Sequence, residues 1–295
     1  MLRVLLIDKS VLQGIAYDKF LALSHNWQIV FPRILAAEVI ADARKVLETR
    51  AASNKALGIL QANAGKLLDS EARMLPDHPR LSTSDLLGDH PSVGTLLSMT
   101  LKQDFPLMFV ALNSVVEGDL SDQLINVAKS WESTLSHTAA LLHNLGKSFD
   151  SKFGSTQRLK SLADLEAYTN HFMATAEPEE MLDFVISRFA EASSAPAIRK
   201  RWRDASQTSL GDFAPYAFHC CRACVLFEYA LWSELVRTGK HAKSFFDLYY
   251  LYYLPLCDAF ASQDRLHHRL APMLMGADQT LFTDIDGLLN YSGDV

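Results

Sequence analysis

The sequence predicts an α/β protein: a three-layer α/β/α core with a short parallel sheet, together with a large all-helical insertion. Two apolar stretches predict the central strands of the sheet. Residues 2–7 run directly into Asp8, and residues 259–262 lie between Asp258 and Asp264. A short apolar run between polar residues is typical of a strand that is buried on both faces. Strand and helix patterns alternate at both ends of the chain, which predicts that the two ends form one sheet.

The middle of the chain has a different pattern. Its apolar residues recur at helical spacing and β-branched runs are scarce, so we expect it to be almost entirely helical. Within it, prolines and glycines in residues 75–94 predict a long loop, and residues 119–145 predict an amphipathic helix capped by Ser121. The predicted core comprises two segments, and the insertion lies between them: core residues 1–48 and 206–295, insertion residues 49–205.

The elements at the N-terminal end follow in order from the first strand. Residues 11–23 have a helical pattern, and residues 27–31 (Trp-Gln-Ile-Val-Phe) form the second predicted strand. Pro32 then stands where a helix begins, since proline is favoured in the first helical turn. That helix runs through residues 34–42 and beyond.

The C-terminal end repeats the alternation. A helix is predicted from Ser244, its cap, to Pro255, which stops it. Asp247 then lies near the positive end of that helix. After the strand at residues 259–262, residues 280–284 predict an edge strand.

Composition limits the classes of function. The chain of 295 residues is 49% hydrophobic, with no apolar run of the roughly 20 residues that a membrane span needs and no signal-peptide pattern, so a cytoplasmic location without membrane association is expected. The formal net charge of −6 argues against binding of nucleic acid through a large positively charged surface, but it does not exclude a local basic groove.

Four acidic residues form the candidate site. Asp8 and Asp264 each follow a predicted strand, and the carboxyl ends of parallel strands share the edge where ligands bind. Glu38 interrupts the apolar face of its helix, which is unfavourable unless the carboxylate is paired or binds a cation. With Asp247, these residues supply the oxygen ligands that Mg²⁺ and Mn²⁺ prefer. Each acid also has a structural interpretation, as a helix cap, a turn residue or a helix-edge glutamate paired with arginine.

The order of these residues resembles that of PIN-domain nucleases. The resemblance rests on Leu-Leu-Ile-Asp8-Lys-Ser10, on Glu38, on Asp247, and on Asp258-Ala-Phe-Ala-Ser262-Gln-Asp264. It implies a PIN-like core in which Asp8, Glu38, Asp247 and Asp264 are catalytic and bind Mg²⁺ or Mn²⁺. It also implies accessory roles for three residues: Ser10, Asp258 and Ser262. The insertion is much larger than in compact toxin members of that family.

Positively charged residues are candidates for substrate contacts. Lys9 and Arg265 flank two of the acids, and Arg201 and Arg203 belong to a basic run around Trp202. Cations beside an aromatic ring suit single-stranded nucleic acid. The alternatives are a solvated helix end for the basic run, and salt bridges from Lys9 or Arg265 to the acids.

Three clustered cysteines invite a zinc interpretation. Cys220, Cys221 and Cys224 lack a second pair at ligand spacing, and the helical segment that contains them is apolar on most sides. Buried thiols in a core helix explain them better.

These observations lead to a hypothesis of a metal-dependent endoribonuclease, with single-stranded RNA favoured as its substrate. Bound ions would activate water and stabilise the leaving oxygen of the phosphodiester. A DNA-acting nuclease is an alternative. So is a non-catalytic PIN-like interaction module with a protein partner or a second copy of the chain. Acids that converge on an open crevice without cationic partners favour the enzyme, whereas acids each paired with Lys or Arg favour the module.

Overall fold

The computed structural model describes residues 2–49, 54–70, 72–75, 105–136, 158–190, 192–205, 209–236 and 241–291. It has an α/β fold with five parallel strands in one sheet of order β3-β2-β1-β4-β5. The strands are β1 Arg3–Ile7, β2 Trp27–Pro32, β3 Arg73–Leu75, β4 Ala259–Ala261 and β5 Thr280–Phe282.

Most other described residues are helical. The helices are α1 Lys9–Gly14, α2 Tyr17–Asn26, α3 Arg33–Thr49, α4 Asn54–Asp69, α5 Phe105–Glu117, α6 at 122–136, α7 Leu162–Thr175, α8 Pro178–Phe189, α9 Ala195–Asp204, α10 Leu210–Phe213, α11 Pro215–Trp232, α12 His241–Tyr252, α13 Arg265–Leu270 and α14 Ile285–Leu289. Within the described ranges, none of these helices combines the length and apolar character needed to cross a membrane.

The strand order places a topological switch point beside β1. The chain moves outward from β1 to β2 and β3 on one side, and later returns to the other side of β1 with β4 and β5. Leu5 is paired with Ile29 of β2 and with Ala259 of β4. Crossovers therefore leave β1 and β4 in opposite directions, which opens a crevice at their carboxyl ends, where open parallel sheets bind ligands.

Both faces of the central strands are buried. Successive strand residues point to opposite faces, yet Leu5, Leu6 and Ile7 all have 0% exposure. Ala259 and Phe260 of β4 are equally inaccessible. This explains why the two strands are continuously apolar in sequence rather than alternating.

The predicted parallel arrangement of residues 2–7, 28–31 and 259–262, with an edge strand near 280, is confirmed. One strand was not predicted. β3 pairs with Val30–Pro32 of β2 and lies within the segment expected to be helical. Three residues are too few to show a period of two, which explains the omission. Most of the loop predicted at 75–94 lies outside the described residues.

Two predicted helices differ from the structure at their ends. Helix α12 begins at His241, three residues before the predicted cap at Ser244, so Asp247 lies in its second turn. Asp247 is therefore not stabilised as a first-turn acid would be. Ser121 caps α6, since its hydroxyl accepts a hydrogen bond from the Leu124 amide at 3.2 Å. The part of that predicted helix beyond residue 136 lies outside the described residues.

The cysteine prediction is confirmed. Cys220, Cys221 and Cys224 are free thiols buried in α11. Burial raises the pKa of Cys221 to about 12, so this side chain stays a neutral thiol. A neutral, buried thiol packs as a small apolar group and is not a ready metal ligand.

The packing of β4 predicts a large effect of Phe260→Ala. Phe260 is fully buried, with its ring centroid 6.3 Å from that of Tyr250 and 5.0 Å from that of His267. We expect a loss of about 3–5 kcal/mol in the free energy of unfolding, measured by urea denaturation. The matched change Leu2→Ala, at a side chain that is 50% exposed, should alter it by less than about 0.5 kcal/mol. Equal effects of the two changes would contradict the fold.

Candidate functional site

The four predicted carboxylates lie around one cleft at the carboxyl edge of the sheet. Asp8 follows β1, Asp264 follows β4, and Glu38 and Asp247 project from α3 and α12. The cleft has a volume of about 320 Å³. Residues from both ends of the chain meet here because β1 and β4 are neighbours in the sheet. We call this opening the acidic cleft.

Asp8 is held by an extensive hydrogen-bond network. One carboxylate oxygen caps α1, accepting from the Val11 amide at 3.0 Å and from the Ser10 hydroxyl at 2.6 Å. The other oxygen accepts from the Ser262 hydroxyl and lies 3.5 Å from Nδ1 of His267. Burial alone would raise the pKa of Asp8, but these hydrogen bonds and the His267 charge lower it below its ordinary value. Asp8 is therefore ionised and fixed in orientation.

The two predicted accessory serines join the strand ends. Ser262 donates to Asp8 and accepts from the Asp264 amide at 3.0 Å, and Ser10 accepts from the Gln263 amide at 2.8 Å. Asp264 caps α13 through the Leu266 amide, at 2.6 Å. These bonds fix the chain after β4 against the chain after β1, so the serines position two carboxylates of the cleft.

His267 was not assigned to the site by the sequence analysis, yet it is central to it. Its Nε2 donates to the Asp247 carbonyl at 3.1 Å, and its Nδ1 lies 2.8 Å from the Ser262 hydroxyl. Burial would lower the pKa of His267, but the Asp8 hydrogen bond and the charges of Asp247, Asp8 and Asp264 raise it to about 9. The site thus contains a buried imidazolium. No local pattern in the sequence would have placed it there, because its partners Asp8 and Asp247 belong to other segments of the chain.

Asp247 has the least stabilised carboxylate of the four. No side chain among the described residues donates a hydrogen bond to its carboxylate, whereas Asp8 has several donors. Burial, together with the charges of Asp264, Glu38 and Asp8 and against the opposing charge of His267, raises the pKa of Asp247 to about 7. This carboxylate gains most from a cation placed in the cleft.

Glu38 is partly compensated by Lys9. The Lys9 ammonium is 2.7 Å from a carboxylate oxygen of Asp42 and 3.8 Å from one of Glu38. Asp42 lies one turn beyond Glu38 on α3, so both acids face the same cation. Lys9 lines the cleft, and its pairing with Asp42 and Glu38 agrees with the salt-bridge alternative; its predicted contact with substrate stays a prediction.

The arrangement fits a hard divalent cation in its donor chemistry. All four acids supply oxygen, the preferred ligand of Mg²⁺ and Mn²⁺. In the described part of the chain, however, no three Asp, Glu, His or Cys side chains lie close enough together to hold an ion directly. A bound ion would therefore require side-chain rotation or bridging water molecules, and Mg²⁺ commonly retains several waters.

One predicted accessory residue does not belong here. Asp258 precedes β4 and so lies at the opposite edge of the sheet from Asp264. Its carboxylate accepts a hydrogen bond from the Val4 amide at 2.6 Å. The expectation that Asp258 assists the site is wrong, because a strand separates the two acids; its role is to align β4 with β1.

The predicted basic residues have different positions. Arg201 and Arg203 are exposed on α9, and neither lines the acidic cleft. The expectation that Trp202 offers a stacking ring is wrong, because it is buried and donates to Glu179 at 2.8 Å. Arg265 is exposed at the start of α13, and no ion pair between described residues joins it to Asp264.

The electrostatics predict an unusual effect of Asp247→Asn. The folded-state pKa of about 7 exceeds the ordinary 3.8, so Asp247 favours the folded state below about pH 4 and loses that contribution as pH rises through 7. At pH 8, with a chelator present, the Asn variant should therefore melt about 2–4 °C higher than the original protein, which corresponds to about 1 kcal/mol. The difference should vanish near pH 4.

Thermal unfolding followed by circular dichroism between pH 4 and pH 9 tests this. Asp258→Asn is the matched control, since it removes one carboxylate at the opposite edge and should give no stabilisation. A lower melting temperature for Asp247→Asn at pH 8 would show that the carboxylate is not under repulsion.

Comparisons with protein-family models, with curated proteins and with solved structures give no match for this chain. The functional interpretation therefore rests on the geometry and charge of the acidic cleft.

Proposed function

We propose that this protein is a metal-dependent endoribonuclease with a PIN-like core. The observation that carries the proposal is the convergence of Asp8, Glu38, Asp247 and Asp264 on one cleft at the switch point of the parallel sheet. The raised pKa of Asp247, caused first by burial and then by the neighbouring acids, supports it, because strongly perturbed carboxylates in a cleft are typical of functional sites.

Each side chain has a distinct part in this proposal. Mg²⁺ or Mn²⁺ bound in the cleft would activate water and neutralise charge on a phosphodiester. Asp8, held by its hydrogen bonds, is the fixed ligand that sets the position of the site. Asp264 and Glu38 would supply further oxygen ligands to the ion. Asp247 is the carboxylate whose ionised form gains most from the ion, because burial and the neighbouring acids raise its pKa when the cleft holds no cation.

Single-stranded RNA is the proposed substrate. The cleft is open to solvent and is lined by Tyr250 and Phe246 beside the acids. Without ions, the carboxylates of the cleft repel the phosphates of a nucleic acid. Substrate affinity should therefore depend on the divalent cation. DNA with the same backbone chemistry remains an outcome that the experiment below distinguishes.

One observation favours a second candidate, a non-catalytic interaction module. His267 supplies a buried positive charge among the carboxylates, and Lys9 pairs with Asp42 next to Glu38. These two cations compensate part of the acidic charge without any metal. The enzyme is favoured by Asp247, because burial and the charges of Asp264, Glu38 and Asp8 keep its pKa above the ordinary value even though the His267 charge opposes them.

Metal binding and cleavage are measured together on two variants. Wild-type protein should melt at a higher temperature with Mn²⁺ or Mg²⁺, by an amount equivalent to about 2–3 kcal/mol when the ion is at 100 times its Kd. Glu38→Gln and Asp247→Asn should lose most of that gain and lose cleavage of a fluorescent single-stranded RNA by about 100-fold or more. Asp8→Asn is a poorer probe, because its amide would face the donors that now bind the carboxylate.

Asp258→Asn is the control for these variants, and it should retain both the metal response and the activity. A metal response without cleavage of RNA or DNA would favour the interaction module. Cleavage of DNA alone would show that the substrate is DNA and not RNA. If neither a metal response nor metal-dependent cleavage is found, the proposed function is wrong.

A further inference from the structure

A second pocket shares a wall with the acidic cleft. Its volume is about 300 Å³, and Ile34 and Phe246 line both openings. Phe246 immediately precedes Asp247, and Ile34 lies one helical turn before Glu38. A molecule in this pocket would therefore lie next to whatever occupies the cleft. We call it the aromatic pocket.

Its floor consists of apolar and aromatic side chains. The Trp131 and Phe246 ring centroids are 4.4 Å apart, and the Tyr249 ring stacks on Phe246 at 5.7 Å. Trp131 and Phe246 are almost fully buried, whereas Tyr249 is partly exposed at the opening. Rigid rings around an opening of this size are suited to a flat heteroaromatic ligand.

Its rim carries hydrogen-bonding side chains on one side. Asn126, Ser130 and Thr134 follow one another at intervals of four along α6, so they form a polar stripe on a single helix face. All three are exposed. The Asn126 amide and the Ser130 hydroxyl can bind donors and acceptors at the edge of a base, whereas the Thr134 hydroxyl donates to the Ser130 carbonyl at 2.9 Å and offers only an acceptor. Arg33, at the start of α3, also lines this pocket.

We propose that the aromatic pocket receives one unpaired base of a single-stranded nucleic acid whose backbone crosses the acidic cleft. An unpaired base is favoured, because a base inside a duplex must first lose its pairing and stacking before it can enter a pocket. The pocket thereby selects single strands over duplexes. The inference rests on the proposed nuclease function for the position of the scissile phosphate, whereas binding of the base itself does not.

Abasic substitution tests the pocket directly. The rate of metal-dependent cleavage, kcat/KM, is measured on an unstructured 12-nucleotide RNA and on a series in which one base at a time is removed. One position near the cleaved bond should show a loss of about ten-fold or more, since stacking of a base on an aromatic ring supplies a discrimination of that order. Removing other bases should have much smaller effects.

Two variants link that position to the pocket. Ser130→Trp places an indole from an exposed helix position into the pocket, and Tyr249→Leu removes the ring at its opening. Both should slow cleavage of the intact RNA and leave the rate on the sensitive abasic RNA nearly unchanged. Tyr17→Leu, at a partly exposed tyrosine of α2, is the matched control and should change neither rate.

The outcomes separate this inference from the proposed function. Cleavage that is equally fast on every abasic RNA, or variants that slow all substrates alike, would overturn the pocket and leave the nuclease intact. If the protein cleaves nothing, saturation-transfer NMR with uridine and adenosine 5′-monophosphates tests whether the aromatic pocket binds a base. Saturation of base protons by wild-type protein but not by Ser130→Trp would support the pocket, and its absence in both would overturn it.

Discussion

The hydrogen bonds around Asp8 are the interactions on which the site depends. The Ser262 hydroxyl donates to a carboxylate 254 positions earlier in the chain, and that contact joins the ends of β1 and β4. Ser10 makes the reciprocal connection by accepting from the Gln263 amide. Because β1 and β4 lie side by side with opposite crossovers, these bonds lie at the crevice where their carboxyl ends meet. The other carboxylates are placed relative to it.

Charge is the second constraint. Four carboxylates line one cleft, and burial increases their mutual repulsion because the dielectric screening is weaker than in water. His267 relieves Asp8, and Lys9 relieves Asp42 and in part Glu38. The pKa of Asp247 is raised by burial and then by the charges of the other three acids, although the His267 charge opposes the rise. A divalent cation would supply the missing charge, which ties the proposed function to the electrostatics of the fold rather than to the motif alone.

The sequence predicted what local patterns encode. Continuous apolar runs identified β1 and β4, and the acids that follow them were placed at one edge by the geometry of parallel strands. It did not predict β3, because three residues carry no periodicity, or the role of His267, because its environment comes from Asp8 and Asp247 on distant segments. Asp258 was misassigned although its position before β4 already places it at the opposite edge of a parallel sheet, and Trp202 was misassigned because the sequence does not show the burial of a side chain.

The most direct test of the central claim is the anomalous scattering of Mn²⁺ in crystals grown with the ion, recorded on both sides of the manganese absorption edge. The account predicts at least one strong peak in the acidic cleft, within about 2–2.5 Å of carboxylate oxygens of Asp8 and at least one of Asp247, Asp264 or Glu38. Crystals that contain Mn²⁺ elsewhere on the protein, with no peak in the cleft at millimolar ion, would contradict it.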